Sequence, residues 1–208
     1  MKKGGEKKLF LKIGAVLLLI IVLVFIGNVI YKWQVLSKIY DHNVNYEIGN
    51  NYKIIVTDEK TNNNTQSTYK DGIGIFKSTD DRYIWSKDNV MYLIFEDEKE
   101  YIKSSLNTTF MDSTIYIQSY GLIDVENKFD LFRKIFTEGI KISTENYENH
   151  SCYVITSKNE KLFIDKDTLF IIRDESKEKS RTIKIEIGTV TDEEVKFPNL
   201  EEYSEKKQ

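Results

Sequence analysis

The 208-residue chain carries 30 basic and 33 acidic residues, a net charge of −3 that is unevenly spread. Residues 1–32 hold six lysines against one acid, leaving 24 basic and 32 acidic residues beyond them, a net −8. That acidic remainder argues against nucleic acid as a partner and against tight docking on anionic lipid, and a lone cysteine, Cys152, rules out an internal disulfide.

Residues 1–12 form a short basic N-terminus with Lys2, Lys3, Lys7, Lys8 and Lys12 against Glu6. From Ile13 to Ile30 there are fourteen Ile, Leu, Val or Phe residues and no charge. With Tyr31 the run reaches about 28 Å as a helix, which matches a hydrocarbon core of roughly 30 Å. Such side chains favour insertion by about 4–8 kcal/mol as an upper bound. A helix apolar on every face has no side to offer water, so residues 13–31 read as a single membrane span whose partner is the lipid bilayer. The lysines before the span predict a cytoplasmic N-terminus and an extracytoplasmic remainder in the cell membrane. A cleaved signal peptide shares the basic start and apolar core. Here the run is longer than such a core, and Phe25-Ile26-Gly27-Asn28-Val29-Ile30 lacks a pair of small residues for cleavage, so the expectation is a retained signal-anchor. Tyr31 and Trp33 fall where an interfacial aromatic belt belongs.

Over residues 32–42 a stripe of Val35, Leu36, Ile39 and Tyr40 continues the helical pattern, as a stalk or as the first helix of the domain. Residues 43–203 are enough for one domain, followed by a charged tail, 204–208, expected to fray. The pattern predicts strands at Tyr52–Thr57, Gly74–Lys77, Tyr83–Ser86, Val90–Glu96 and Ser113–Ser119, separated by turn-forming groups such as Thr61-Asn62-Asn63-Asn64, Asp71-Gly72 and Asp88-Asn89. Phe129, Phe132, Phe136 and Ile140, with Ile135 beside them, recur at helical spacing between Asn127 and Ile140, where Asn127 can cap the first turn and Gly139 lies near the stop. This short helix has an unusually aromatic face, and the neighbouring sheet is the surface expected to receive it. Strands return at Ser151–Ser157, Glu160–Asp165, Thr168–Asp174 and Arg181–Ile187, the last alternating cleanly between Ile183, Ile185, Ile187 and Lys184, Glu186. Abundant Lys, Asn, Ile and Tyr beside one proline suggest an AT-rich bacterial genome, in which the sequons at Asn63, Asn107 and Asn149 have no role.

The second group of strands runs Cys152-Tyr-Val-Ile, Glu160-Lys-Leu-Phe-Ile-Asp165-Lys-Asp-Thr168-Leu-Phe-Ile-Ile-Arg173, Arg181-Thr-Ile-Lys-Ile-Glu, and closes with Val195-Lys-Phe197-Pro198. This succession resembles the C-terminal half of the LolA/LolB-like superfamily, which includes lipoprotein carriers and RseB-like periplasmic sensor domains. There a strand leads into an ID-x-x-T turn, the next carries a hydrophobic pair, and a later strand precedes an F-x-x-Y-like end. The likeness covers about the last 60 residues, and the preceding elements only in order and spacing. It implies an α+β fold: an N-terminal transmembrane helix, then a strongly curved antiparallel sheet, an incomplete β-barrel, covered by one or more helices with a hydrophobic cavity between. Phe129, Phe132 and Phe136 would then belong to a lid, and Tyr83, Trp85, Tyr92 and Phe95 to the wall. The ligand implied is a lipid or the acyl chain of a lipoprotein. Because the chain is tethered, ferrying across a wide compartment is not expected, which leaves local lipid handling, sensing, or docking of an envelope protein partner.

No residue pattern calls for catalysis or a cofactor. His150 and Cys152 would share a strand face, yet no third group is visible to orient them as a base and nucleophile. Asp165 and Asp167 sit in a turn that lacks the glycine and terminal glutamate of a calcium loop. The acidic pairs Asp97/Glu98 and Glu193/Glu194 fall in charged, solvated stretches, and Gly72-x-Gly74 is not followed by a helix start. The expectation is a non-enzymatic binding protein, or an interaction or sensory module with a filled core.

Overall fold

The computed structural model describes residues 3–79, 81–105 and 125–206, with side chains from Leu11 onward. Its first element, α1 (Lys3–Asn45), is one unbroken helix. It is long and apolar enough to cross a membrane, and the apolar run is exposed on all sides up to Asn28. The helix does not stop at the end of that run. Val35, Leu36 and Ile39 are buried in the domain core, so the stripe read at 32–42 is the domain's first helical segment as well as a stalk.

Past a glycine turn at Gly49, where φ is +81°, the strands begin. They are β1 (Asn51–Asp58), β2 (Asn63–Lys70), β3 (Ile73–Lys77), β4 (Arg82–Lys87), β5 (Val90–Phe95) and β6 (Glu100–Ser105). The helix α2 (Lys128–Thr137) follows, then β7 (Lys141–Tyr147), β8 (His150–Thr156), β9 (Glu160–Asp165), β10 (Ile171–Ser176) and β11 (Ser180–Ile187). A 3-10 turn (Glu193–Val195) and β12 (Ser204–Glu205) come last among the described residues. Among the described residues the strands form one sheet in the order β12-β6-β5-β4-β3-β2-β1-β11-β10-β9-β8-β7. Every pair is antiparallel except β12 with β6. The result is an α+β incomplete barrel: a large, curved, unclosed sheet with a long apolar helix before it.

Several boundaries differ from the sequence reading. Asn63 and Asn64 lie inside β2, because the reversal is made just before them, with Asn62 at φ +55° and the Asp58 carboxylate accepting from the backbone N–H groups of Lys60 and Thr61. The strand is polar, but ladders with β1 and β3 on both sides hold it extended. Likewise β10 starts at Ile171 and not at Thr168, since Leu169 adopts φ +60° and its N–H bonds back to the Asp165 carbonyl. Ser204 and Glu205 pair with Glu100 and Tyr101, where a frayed tail was expected. The strand expected at Ser113–Ser119 lies outside the described residues.

Asn127 caps α2 as its position predicts, its side-chain oxygen accepting from the Asp130 N–H at 3.0 Å. The packed face is a different one from the aromatic face. Leu131 and Ile135, one turn apart, are buried against Val35, Leu36 and Ile39 of α1 and against Ile155, Leu162 and Ile164 of the sheet. At 100° per residue the phenylalanines lie about 80–140° round the helix from the middle of that face, and Phe129, Phe132 and Phe136 remain 74%, 38% and 52% exposed. Over β1 and β8–β11 the layer between helices and sheet, where the resemblance implies a cavity, is filled by this core.

On the opposite face the C-terminal segment folds back over β3–β6. The Trp85 indole N–H donates to the Val195 carbonyl at 3.0 Å, and the Phe197 ring meets Trp85 and Tyr92 edge-on. An ion pair between Lys53 and Glu194 ties this segment to β1. The Lys53 ammonium, with the Thr191 N–H and hydroxyl, holds the Glu194 carboxyl down to about 2. A depressed carboxylate stabilises the fold above its ordinary value, 4.5, and loses that contribution as the pH falls toward 2. In Lys53→Met the acid release of the segment, followed by Trp85 emission, is therefore expected to begin at higher pH than in the parent. Coincident transitions would mean that the Lys53–Glu194 pair does not hold the C-terminal segment in place.

Candidate functional site

The site arises from a split in the sheet. Register pairs β10 with β11 only over Arg173–Glu175 and Ser180–Thr182, and a bulge between Ile171 and Arg173 then turns β10 aside. The rest of β11, from Ile183 to Ile187, still pairs with β1 but has no β10 ladder beside it. Between that freed stretch and the β9–β10 turn lies a cleft of about 590 Å³, within the roughly 300–1,000 Å³ usual for ligand sites. Its walls are largely aliphatic and aromatic: Ile55, Phe170, Ile172, Ile185 and Ile187.

Curvature closes one side of it. Neighbouring strands are about 4.8 Å apart, so β7 and β11, four steps away from each other, would be roughly 19 Å apart in a flat sheet. Yet the Tyr147 hydroxyl on β7 reaches the Thr182 hydroxyl on β11 at 3.3 Å. Thr182 points away from the helix-covered core, since Ile183 beside it is buried there, so this half of the sheet curls away from α1 and α2. A small cluster of Cys152, Val154 and Phe163, with Tyr147 and Ile172 against it, fills the bend.

Arg173 holds the curl in place. Its guanidinium donates to both oxygens of Glu59 at 2.8 and 2.9 Å, to Glu175 at 2.7 Å and to the Tyr147 hydroxyl at 2.7 Å. Partial burial works against its charge, but these acceptors outweigh that and raise its pKa above the ordinary value. Hydrogen bonds from Arg173, Ser180 and Thr182 hold Glu59 below the usual carboxylate range.

A polar rim lies at the other end. Asp165 is buried, and burial alone would push its carboxyl up. The Thr168 hydroxyl at 2.8 Å and the Asp167 N–H at 3.3 Å, with His150 at 3.6 Å, hold it below its ordinary value instead. Thr168 thus locks the turn through its side chain, and Asp165 spends its oxygens there. His150 and Cys152 do not meet as base and nucleophile. The thiol is buried in the bend with its Sγ toward the His150 carbonyl at 3.5 Å, and burial raises its pKa. The imidazole turns instead to Asp165.

The residues singled out from sequence do not share one surface. Tyr83, Trp85 and Tyr92 lie on one face of β4 and β5, against the C-terminal segment. Phe95 pairs with Arg82 on the other face of these strands, with the Lys206 ammonium 5.8 Å from its ring. Phe132 meets Trp33 edge-on at 5.5 Å and Phe136 at 5.3 Å, and Phe129 stands clear of both at the start of α2. None of the seven lines the split-sheet cleft. Of the residues that do, the alternation Ile183-Lys184-Ile185-Glu186-Ile187 was visible as a half-buried strand, but no local signal marks where its neighbour leaves it.

No protein-family profile matches the chain, and no curated protein does. Among solved structures, the chain is similar to an uncharacterized conserved protein from Thermus thermophilus at 7% identity and a TM-score of 0.43, covering 83% of this chain and 98% of that one. It is also similar to a DUF1329 family protein from Desulfovibrio piger at 12% identity and a TM-score of 0.27, covering 81% and 97%. At these scores neither likeness bears on what the cleft holds.

Proposed function

We propose that this chain is a membrane-anchored, non-catalytic binding protein of the bacterial envelope whose extracytoplasmic domain takes an apolar ligand, an acyl chain of a lipid or lipoprotein, into the split-sheet cleft. The observation that carries the reading is the cleft itself, about 590 Å³ of space with walls of Ile55, Phe170, Ile172, Ile185 and Ile187 in a sheet that does not close. The anchor supports it from the other side: one N-terminal helix long and apolar enough to span, with the lysine bias that sets the N-terminus in the cytoplasm. The LolA/LolB-like strand succession agrees with an incomplete barrel that binds without chemistry. A binding role also suits Cys152 and His150, the first buried and the second engaged with Asp165.

A second reading, docking of another envelope protein on a solid domain, is favoured by the filled layer between helices and sheet. Photo-crosslinking of the full chain with an acyl-diazirine phospholipid, presented as a soluble short-chain monomer outside the bilayer, separates the two. On the first reading adducts map to β1, β10 and β11 and fall several-fold in Ile55→Glu, a position that is only half-buried, with the circular dichroism spectrum unchanged. Adducts confined to residues 13–31 would eliminate the ligand reading and leave protein docking.

A further inference from the structure

The aromatic edge of α2 faces neither the core nor the cleft, and its height relative to the apolar run identifies what covers it. At its start, α2 is fixed to the far part of α1: the Tyr40 hydroxyl donates to the Glu126 carbonyl at 3.2 Å, and Lys128 pairs with Asp41 at 2.7 Å. One turn on, Phe132 lies against Trp33. The two helices therefore run antiparallel, and α2 descends toward the span. Phe136 is a further turn, about 6 Å, along that descent, which brings it level with the last turn of the apolar run. Val29, in that turn, is the first residue of the run to be half-buried. Beyond Thr137 the chain reverses at Gly139, φ +63°, and Ile140 returns to the core. The lower end of α2 thus points toward the span.

We infer that Phe132 and Phe136, together with Tyr31 and Trp33, form an aromatic ledge that lies in the interfacial layer of the outer leaflet and seats the domain on the bilayer. The inference rests on the anchor reading given above. Continuity carries it: the ledge begins on the helix that crosses the membrane and extends sideways at the level where Trp, Tyr and Phe favour the headgroup boundary. Arg133, exposed on the same lower half of α2, and Lys141 just past the reversal suit phosphate at that level. Phe129, seven residues earlier, stands about 10 Å higher and is not part of the ledge.

The test uses the full chain in nanodiscs of phosphatidylcholine and phosphatidylglycerol with brominated acyl chains. An environment-sensitive fluorophore is attached through Tyr31→Cys, Phe136→Cys or Phe129→Cys in turn; the native thiol, Cys152, is fully buried and stays unlabelled. The expected result is strong quenching at positions 31 and 136 and several-fold weaker quenching at 129. Quenching at 31 with none at 136 would overturn the ledge while leaving the anchor intact. Absence of quenching at 31 would remove the anchor and the ledge together. Because Phe136 is 52% exposed, its replacement leaves the core unchanged.

Discussion

A fragment that begins at Tyr40 is expected not to fold, whereas one that begins at Lys32 folds. Cutting at residue 40 removes Val35, Leu36 and Ile39, which are 5%, 0% and 0% exposed and sit at the centre of the main core against Leu131, Ile135 and the sheet. Burying each such side chain contributes about 1.5–3 kcal/mol, so the loss is roughly 5–9 kcal/mol, comparable with the whole stability of an ordinary domain, about 5–15 kcal/mol. Urea unfolding followed by near-ultraviolet circular dichroism checks it. A cooperative transition in the shorter fragment with an unchanged midpoint would mean that α1 is dispensable to the core.

Arg173→Met is expected to destabilise the domain by on the order of 2–3 kcal/mol. It leaves Glu59, Glu175 and the Tyr147 hydroxyl without their shared donor. The loss stays below that of a fully buried pair because the Glu59 side chain is 43% exposed. Arg173→Lys should restore little, since an ammonium cannot span both oxygens of Glu59 and the phenol together. The distinguishing readout is the curl: without Arg173, hydrogen exchange in β7 and β8 should accelerate more than in β1 and β2. Uniform acceleration throughout the sheet would assign Arg173 a general structural role and no role in the bend.

How much of this was legible depended on whether a feature is local. The long apolar helix needed only an uninterrupted apolar run, and the Asn127 cap and Gly139 stop of α2 needed only one turn of chain. Strands β1, β4 and β5 announced themselves as short runs rich in Ile, Val, Tyr and Phe between turn signals, and β11 by clean apolar alternation. By contrast, β2, with Asn63-Asn64-Thr65-Gln66, is a strand because two ladders enclose it, and β6 and β7 carry too few apolar positions to alternate visibly. Which face of α2 is buried was misjudged for a related reason. Three phenylalanines outweigh Leu131 and Ile135 in any count of hydrophobicity, but only the Leu131/Ile135 face meets both α1 and the sheet. The cleft was the least legible feature of all. It depends on the positive φ of Leu169, on a bulge two residues beyond Phe170, and on a contact between Tyr147 and Thr182, 35 residues apart. No periodicity in the chain encodes such a contact.

The unbroken α1 also sets a standoff. Phe170, on the cleft wall, stacks edge-on against His42 at 5.5 Å and Tyr46 at 5.1 Å, at the outer end of the helix. Eleven residues separate Tyr31 from His42, so this wall is held about 16 Å along the axis from the end of the span. On the ligand reading proposed above, a mast of that height, rooted in the core by Leu36 and Ile39, keeps the cleft out of the leaflet. An acyl ligand would then reach it already lifted clear of the hydrocarbon, so that reading is one of accepting cargo from a donor and not of extracting it.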